Sequence, residues 1–372
     1  MGIVDDFATR MDDHLRRVTT RRGILGAPLV AVSAPELGLE YRFGDPAGRF
    51  HAASIGKAFT ATLVMQLVEQ GAFGVDTPIA ALLPAHEFDG LFAEGADAPT
   101  VHHLLTHTSG AADYFDGPVT SGRGMRDLVV AEPDRLWTPA DLLEFSRRRQ
   151  RPVGRPGERF AYSDTGYVLL GRIVEEQAGL AFHEALHERI LSPLGLRDTS
   201  MPFRSEAASG ASDLRPFRLG RHEVSGSRSI SCAWSGGGIV STPDDLVAFS
   251  RALHAGRLIS PEHVGYLAEP RHRFRVGLRY GAGHMQVRFG GFSPFLAGLP
   301  RPVGHLGVLA THLWHDPVHD AEIVLDFAST REMTRSFRTL IRIEQELGRV
   351  RRAAVGGGVA AGAPEPVRSA AA

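Results

Sequence analysis

The chain has 372 residues, of which 43% are hydrophobic, so it is long enough to bury a large core as one domain or as two fused lobes. Its formal net charge of −1 excludes the basic footprint of a nucleic-acid-binding protein and gives no reason to expect an anionic membrane partner. A single cysteine, Cys232, excludes an intrachain disulfide, and we expect a small buried thiol there.

Two interpretations compete for the N-terminal segment. A helix is predicted over residues 4–18, and the next stretch, TTRRGILGAPLVAVSA (residues 19–34), has the paired arginines, apolar run and small-residue end of a twin-arginine export signal. The same stretch also predicts a first strand that pairs with LEYRFG (residues 39–44). Cleavage after Ala34 would remove that strand and expose its partner's edge, so we expect a strand and a cytoplasmic protein. No apolar run reaches the ~20 residues that span a bilayer.

The middle of the chain is predicted to be helical. The stretch SIGKAFTATLVMQLVEQG (residues 54–71) is apolar around most of its circumference, which indicates a central buried helix. Residues 75–224 hold short helices separated by many Pro and Gly residues. Two clearer helices are predicted to begin at Thr138 and Thr242, each a capping residue with proline at the first helical position.

Strand patterns dominate the C-terminal part. They are RFRVGLRYG, GHMQVRFG, VGHLGVLATHLWHD and AEIVLDFAS, and a helix is predicted after them over residues 333–350. Because strands lie at both ends of the chain, we predict an α/β lobe formed by residues 1–74 and 225–350. Residues 75–224 would form a mainly helical lobe, and the Gly- and Ala-rich tail, residues 351–372, is predicted to be disordered.

The only lysine of the chain, Lys57, lies three residues after Ser54 at the start of the predicted central helix. Positions i and i+3 share a helix face, so the hydroxyl and the amine can meet. A hydroxyl becomes a good nucleophile when a neighbour takes its proton. A buried amine with a lowered pKa can do this, whereas a guanidinium does not give up its proton. We therefore interpret Ser54 as a nucleophile and Lys57 as its base, with the Ser54 N–H placed to hold an oxyanion.

Two other segments carry candidate groups. Tyr162, in AYSDTGY (residues 161–167), could move a proton to a leaving group if a cationic amine lies near it; the alternative is a packed tyrosine, with Asp164 capping the next helix. His305 lies in the apolar strand pattern VGHLGVLA (residues 303–310), where flanking glycines leave room for another backbone. On its own, a histidine in a strand is more often only packed.

Together these segments resemble the serine β-lactamase and penicillin-binding-protein-like hydrolases. The resemblance is to their class C-like branch, which includes class C β-lactamases, D,D-peptidases, family VIII carboxylesterases, D-stereospecific aminopeptidases and acyltransferases of secondary metabolism. It covers about residues 25–345 and rests on Ser54-x-x-Lys57, LLTHTSGAADYF, RPGERFAYSDTGYVLLGRIVE, SPLGLRDTSM, GGGIVSTPDDLVAF and GHLG. It implies an α+β fold of the β-lactamase/transpeptidase type, in which helices flank an antiparallel sheet beside a mainly helical lobe.

The resemblance also implies roles for individual residues. Ser54 would be acylated, Lys57 would be its base and Tyr162 the shared general acid/base. His305 would take the first position of the third motif, which is Lys or His in relatives. The N–H groups of Ser54 and of Val308, directly after Gly307, would form the oxyanion hole. No metal and no organic cofactor is implied, the expected partner is a small-molecule ester or amide, and no oligomeric state is indicated.

Two departures from the family pattern bear on the substrate. The second motif reads Tyr-Ser-Asp where lactamases have Tyr-Ser-Asn, so Asp164 places a carboxylate that could hold Lys57 protonated and would repel an acidic substrate. His305 is expected to be largely uncharged at neutral pH and to hold a substrate carboxylate less well than lysine. Both departures favour an ester or neutral amide over penicillin. The expected cytoplasmic location argues against a cell-wall peptidase.

Other interpretations remain open. The stretch HEALH (His183 to His187) is a literal H-E-x-x-H zinc motif, although it falls inside a family-like surface helix. No Gly-x-Ser-x-Gly elbow occurs in the sequence, so an α/β-hydrolase has no support. A non-catalytic homologue that only binds ligands is disfavoured by the intact Ser54, Lys57 and Tyr162.

We predict a serine esterase or amidase, with an acyltransferase, a β-lactamase or a D,D-peptidase as alternatives.

Overall fold

The strands predicted at the two ends of the chain meet in one sheet. The computed structural model describes residues 3–20 and 28–359. The strands within these residues are β1 (Leu29–Ala34), β2 (Leu39–Phe43), β3 (Phe50–His51), β4 (Arg218–Leu219), β5 (His222–Glu223), β6 (Val240–Ser241), β7 (His272–Arg275), β8 (Leu278–Tyr280), β9 (Met285–Val287), β10 (Val303–Gly307), β11 (Thr311–Asp316) and β12 (Ala321–Asp326). Eight of them form an antiparallel sheet in the order β2-β1-β12-β11-β10-β9-β8-β7.

The helices surround this sheet. They are α1 (Ile3–Thr19), α2 (Gly56–Glu69), α3 (Ala85–Phe88), α4 (Val101–Leu105), α5 (Met125–Ala131), α6 (Pro139–Arg149), α7 (Asp164–Ala178), α8 (Phe182–Leu186), α9 (Ser192–Leu194), α10 (Trp234–Gly237), α11 (Pro243–His254), α12 (Pro261–Ala268) and α13 (Met333–Val359). The predicted caps are confirmed, because the hydroxyls of Thr138 and Thr242 accept the amide N–H groups of the third residues of α6 and α11. The antiparallel sheet with flanking helices confirms the predicted α+β class.

Two apolar clusters lie on opposite faces of the sheet. On one face, α1 and α13 pack through side chains such as Met11, Leu15 and Leu347. On the other face, the central helix α2 is buried on nearly every side, and the ring of Phe59 stacks on Phe249 of α11 with 3.6 Å between centroids. The sequence prediction of a central buried helix is confirmed.

The register of β1 joins the two ends of the chain. Val30 pairs with Leu325 of β12 and with Phe43 of β2, so β1 lies inside the sheet. A strand at Leu29–Ala34 is what the strand interpretation of residues 19–34 predicts, while residues 21–27 of that stretch lie outside the described residues. No helix within the described ranges has both the length and the hydropathy needed to cross a bilayer.

The last helix is longer than the sequence predicts. It continues to Val359, so the disordered tail predicted from residue 351 begins too early, and residues 360–372 lie outside the described part. Val350 is buried against the sheet, and residues 351–354, two arginines and two alanines, are good helix formers that continue the helix by one turn. The eight sheet strands lie within residues 29–43 and 272–326, whereas residues 75–224 hold the helices α3 to α9 and a small hairpin.

Candidate active site

Ser54 lies in a single 3₁₀ turn, Ala53–Ile55, that leads directly into α2. The preceding residue, Ala53, has a φ of 51°, a strained value for a residue with a Cβ. The turn is held by the Ala52 N–H, which donates to the Ile239 carbonyl at 2.8 Å, and by the Thr311 hydroxyl, which donates to the Ala52 carbonyl at 3.0 Å. The position of the predicted nucleophile is therefore fixed by β11 and by the segment that precedes β6.

Lys57 is fully buried one turn further along α2. Its Nζ donates to the Gly236 carbonyl at 2.6 Å and forms an ion pair with the Asp164 carboxylate. A Cβ at position 236 would lie 2.8 Å from Asp164 Oδ1, so glycine is required there for the ion pair to form. The structure thus contains the contact between Asp164 and Lys57 that the departure from the Tyr-Ser-Asn motif indicates.

Tyr162 connects the nucleophile to this ion pair. Its phenol interacts with the Ser54 side chain, and the Lys57 Nζ lies 4.9 Å from the centroid of its ring. Burial, reinforced by the Asp164 carboxylate, raises the pKa of Tyr162 well above its usual value, so the resting group is a neutral phenol. Such a phenol can donate a proton, and it accepts one only after giving its own to a neighbour.

A buried histidine fixes the loop that carries Tyr162. His107 Nδ1 accepts the N–H of Ser163 at 3.1 Å, and its ring packs against Tyr162 with 4.2 Å between centroids. Burial and the nearby Lys57 charge lower the pKa of His107 well below its usual value, which keeps the ring neutral and able to accept. His107 is thus a positioning residue.

The capping residue of α7 is Ser163, whose hydroxyl accepts the Gly166 N–H at 3.3 Å. The alternative in which Asp164 caps this helix is therefore wrong. Asp164 is the first helical residue, which leaves its carboxylate free to contact Lys57.

The structure corrects the position of His305. Its side chain is fully buried, with Nδ1 at 3.0 Å from the Leu306 carbonyl and Nε2 at 3.4 Å from the Tyr280 hydroxyl. Neighbouring residues of a strand point to opposite faces, and it is Leu306 that lines the cavity beside Ser54. Burial, with a smaller effect of Lys57, lowers the pKa of His305 well below its usual value. His305 is a neutral packed ring beneath the site and does not face a substrate.

The end of β10 lies against the turn of Ser54. A Cβ at Gly307 would be 2.9 Å from the Ala52 carbonyl oxygen, so only glycine permits this approach. Val308 follows at the cavity wall, and within the described ranges no backbone carbonyl accepts its N–H. This placement is compatible with the predicted oxyanion hole formed by the N–H groups of Ser54 and Val308.

A cavity of about 560 Å³ opens above Ser54. Aromatic and aliphatic side chains form most of its wall: Phe115, Phe217, Phe274, Phe292, Phe337, Leu219, Ile230, Val276, Leu278, Met285, Leu306, Leu309 and Met333. The polar groups are few and include Ser54, Tyr162 and Asp164. The space and its lining suit a drug-sized molecule with a large apolar part.

Two carboxylic acids of this cavity were not identified from the sequence. Asp113 and Asp116 lie in the segment LLTHTSGAADYFD, which contains no catalytic pattern to mark them. Burial and the nearby Asp164 raise the pKa of Asp113 to about 8, so it is mainly a neutral acid at pH 7. Asp116 is paired with Arg126, at 2.7 Å between Oδ2 and a guanidinium nitrogen. The oxygens of Asp113 accept the N–H groups of Phe115, Asp116 and Asp164, so this side chain holds its own loop against the start of α7.

The H-E-x-x-H stretch has a structural explanation. Glu184 accepts the N–H of Ala181 at 2.9 Å, as expected for a residue in the first turn of α8. His187 begins the π-helical turn that follows and is exposed. The carboxylate of this motif thus accepts a backbone hydrogen bond at the start of α8, which gives the glutamate a structural role.

The close approach between α10 and the Ser54 turn leads to a first prediction. A Cβ at Gly237 would lie 2.8 Å from the Ala53 carbonyl oxygen and 3.3 Å from the Ser54 nitrogen, both backbone atoms. We expect Gly237→Ala to shift the nucleophile and to lower kcat/KM for an ester substrate at least 100-fold, because displacements near 1 Å have such effects. The matched control is Gly265→Ala in α12, where nothing lies within 4 Å of the added Cβ. Equal activities of the two variants would contradict this prediction.

Comparison with known proteins defines the family. The family model described as Beta-lactamase matches residues 12–346. The chain therefore belongs to the Beta-lactamase family, which confirms the resemblance drawn from its motifs.

Three relatives illustrate the range of this family. Penicillin-binding protein 4 of Amycolatopsis lactamdurans is 39% identical over 158 residues, which are 42% of this chain and 37% of that protein. Esterase EstB of Burkholderia gladioli is 31% identical over 213 residues, 51% of this chain and 50% of that protein. A D-stereospecific amidohydrolase from Streptomyces sp. superposes with a TM-score of 0.70 at 25% identity, covering 87% of this chain and 94% of that chain. The chain thus matches half or less of the length of the first two proteins.

Proposed function

We propose that the protein is a serine hydrolase that acts on an ester or amide through a Ser54 acyl-enzyme. The observation that carries the proposal is the chain of contacts from Ser54 through the Tyr162 phenol to the buried pair of Lys57 and Asp164, at the floor of an open apolar cavity. A nucleophile, a phenol that can transfer a proton and an ion pair that can exchange protons with it thus lie next to one another.

The proposed acylation keeps atoms and charges balanced. The Lys57 ammonium passes a proton to the Asp164 carboxylate, which leaves a neutral amine next to Tyr162. Ser54 Oγ then bonds to the substrate carbonyl carbon while its proton moves, directly or through the Tyr162 hydroxyl, to the Lys57 amine. The carbonyl oxygen becomes an oxyanion held by the N–H groups of Ser54 and Val308. When the bond to the leaving group breaks, Tyr162 gives its proton to that group and takes a replacement from the Lys57 ammonium, and Asp164 then returns its proton to the Lys57 amine. Water later hydrolyses the acyl-enzyme through the same groups.

The cavity favours a neutral substrate with an apolar acyl group. Its wall is mainly aromatic and aliphatic and Asp164 lies beside the nucleophile. The buried His305 supplies no positive charge, and the arginine among the lining residues, Arg275, is exposed to solvent. The esterase and the D-stereospecific amidohydrolase among the relatives support the ester and amide classes. Penicillins carry a carboxylate, and we propose that they are poor substrates.

A series of p-nitrophenyl esters tests this proposal. Each methylene buried in the cavity is worth about 0.8 kcal/mol, or about fourfold in kcat/KM, so the hexanoate is expected to exceed the acetate by well over tenfold. Ser54→Ala should abolish phenolate release with every ester. A rate that does not depend on acyl length would contradict the proposed acyl pocket. Release that survives in Ser54→Ala, or none at all from the parent protein as expected of an inert ligand-binding homologue, would overturn the proposed function.

Acyl transfer is a second candidate function that the cavity favours. A volume of about 560 Å³ leaves room for an alcohol or amine beside a bound acyl group, and apolar walls disfavour water. A neutral alcohol such as butanol would then capture the acyl group in competition with water. Formation of butyl hexanoate with a faster release of phenolate would support transfer, whereas hydrolysis products alone would assign the protein to the esterases.

A further inference from the structure

A second cluster of chemically active side chains lies away from the cavity of Ser54. Asp316 ends β11, His319 lies in the turn that follows it, and Glu344 projects from α13. All three are buried, with Asp316 and Glu344 completely so. A carboxylate or imidazole atom from each lies within 4.8 Å of the other two. This arrangement joins the β11–β12 turn to the C-terminal helix.

The carboxylate of Glu344 marks this cluster as incomplete. Within the described residues neither of its oxygens accepts a hydrogen bond, although its side chain has no exposed surface. Leaving a buried polar group unsatisfied is costly, and leaving a buried charge unpaired costs much more. The Asp316 carboxylate, in direct contact with His319 Nδ1, also lies beside Glu344, whose own contact with that nitrogen is long at 4.0 Å. Two buried carboxylates beside one imidazole require either a shared proton or a cation.

We propose that Asp316, His319 and Glu344 form a binding site for a divalent transition-metal ion, with zinc as the ion that fits best. Zinc binds carboxylate oxygens and imidazole nitrogens at about 2.0–2.2 Å with tetrahedral angles, so two of its ligand atoms lie about 3.3–3.6 Å apart. His319 Nδ1 and Glu344 Oε2 are separated by 4.0 Å, so a small movement of the side chains would bring both to one ion. An imidazole ligand makes Mg²⁺ or Ca²⁺ a poor match, because both prefer sites made of oxygen alone.

The surroundings support the ligands and offer a route of entry. The other oxygen of Asp316 accepts the N–H of Val318 at 2.8 Å, which orients the carboxylate. His319 and Glu344 line a groove of about 800 Å³ at the surface. A metal ion could enter from this groove, displace the shared proton and connect the turn to α13.

A second cluster of potential ligands has a geometry that is unsuitable for a metal ion. His254, His315 and Glu322 also lie within 4.8 Å of one another, but the rings of His254 and His315 are stacked at 4.1 Å with only 15° between their planes. A metal ion lies near the plane of each imidazole that binds it, and two nearly parallel stacked rings cannot both meet this condition. This second cluster serves as an internal control.

The experiment measures zinc binding and thermal unfolding of the full chain after chelator treatment and dialysis. We expect one zinc ion per chain by elemental analysis, and a rise in Tm of about 3 °C or more when free zinc is a hundredfold above Kd. Glu344→Gln, which mimics the protonated acid, should keep the metal-free Tm and lose at least 90% of the bound zinc. His319→Asn should also lose it, and His315→Asn in the control cluster should keep it.

Two results would overturn the proposal. One is a parent protein that neither retains zinc nor shows a higher Tm in its presence, since the cluster would then be held by a shared proton alone. The other is zinc that persists in both Glu344→Gln and His319→Asn but is lost in His315→Asn, which would assign the ion to the other cluster. Neither readout involves ester hydrolysis, so the metal site and the acyl chemistry are tested independently.

Discussion

Replacing Lys57 by arginine is expected to abolish acylation of Ser54, even though the positive charge and the contact with Asp164 can be kept. The amine at position 57 must lose a proton before it can take one from the serine, and a guanidinium does not do so. We expect kcat/KM for p-nitrophenyl hexanoate to fall at least about 10³-fold, within the range attributed to general base catalysis. Steady-state release of p-nitrophenolate measures this loss.

Controls separate this chemical effect from damage to the fold. Lys57 is fully buried, so the larger arginine is accompanied by Lys57→Met, which adds no bulk and should be equally inactive. The reverse exchange, Arg172→Lys on α7, alters an arginine paired with Glu87 and Glu175 and should change the rate less than threefold. Circular dichroism and Tm would verify that each variant is folded. More than a few per cent of the parent activity in a folded Lys57→Arg variant would contradict a role for this amine as base.

Replacing Asp164 by asparagine is expected to lower kcat/KM for p-nitrophenyl hexanoate at least about 10²-fold. The Asp164 carboxylate contacts the Lys57 Nζ directly and receives the Lys57 proton in the proposed acylation, whereas an amide of the same size does not accept that proton. Steady-state release of p-nitrophenolate measures the loss.

Two other carboxyl groups of the cavity serve as controls. Asp116→Asn removes a carboxylate that is already paired with Arg126 and should change kcat/KM less than about threefold. Asp113→Asn keeps an oxygen that can accept the N–H of Asp164 and should lower the rate less than about tenfold. Activity equal to that of the parent in a folded Asp164→Asn variant would contradict a role for Asp164 as the acceptor of the Lys57 proton.

The main parts of the site could be predicted because they depend on local sequence. Ser54 and Lys57 are three residues apart at a helix start, so the helix itself places them on one side. Tyr162 directly precedes a helix with a clear pattern, and the strands at the two ends of the chain carry the alternation typical of a sheet. The Asn-to-Asp departure at position 164 also indicated the contact with Lys57 that the structure contains.

Other features could not be predicted because they depend on tertiary packing. Which face of β10 carries His305 depends on the register against β11, and a shift of one residue reverses it. Asp113 and Asp116 reach the cavity because their loop is hydrogen-bonded to Ser163 and Asp164 at the start of α7, and their spacing carries no motif. The Asp316, His319 and Glu344 cluster joins residues from two elements separated by part of the chain, so no local pattern marks it.

The most direct test of the account is to locate the covalent adduct formed by a fluorophosphonate probe. Trypsin would release residues 50–57, which follow Arg49, end at Lys57 and contain Ser54 as their only hydroxyl-bearing residue. We predict one phosphonate per chain, on this peptide, and none on the Ser54→Ala protein. An unlabelled protein, or an adduct on any other peptide, would contradict acyl chemistry at Ser54.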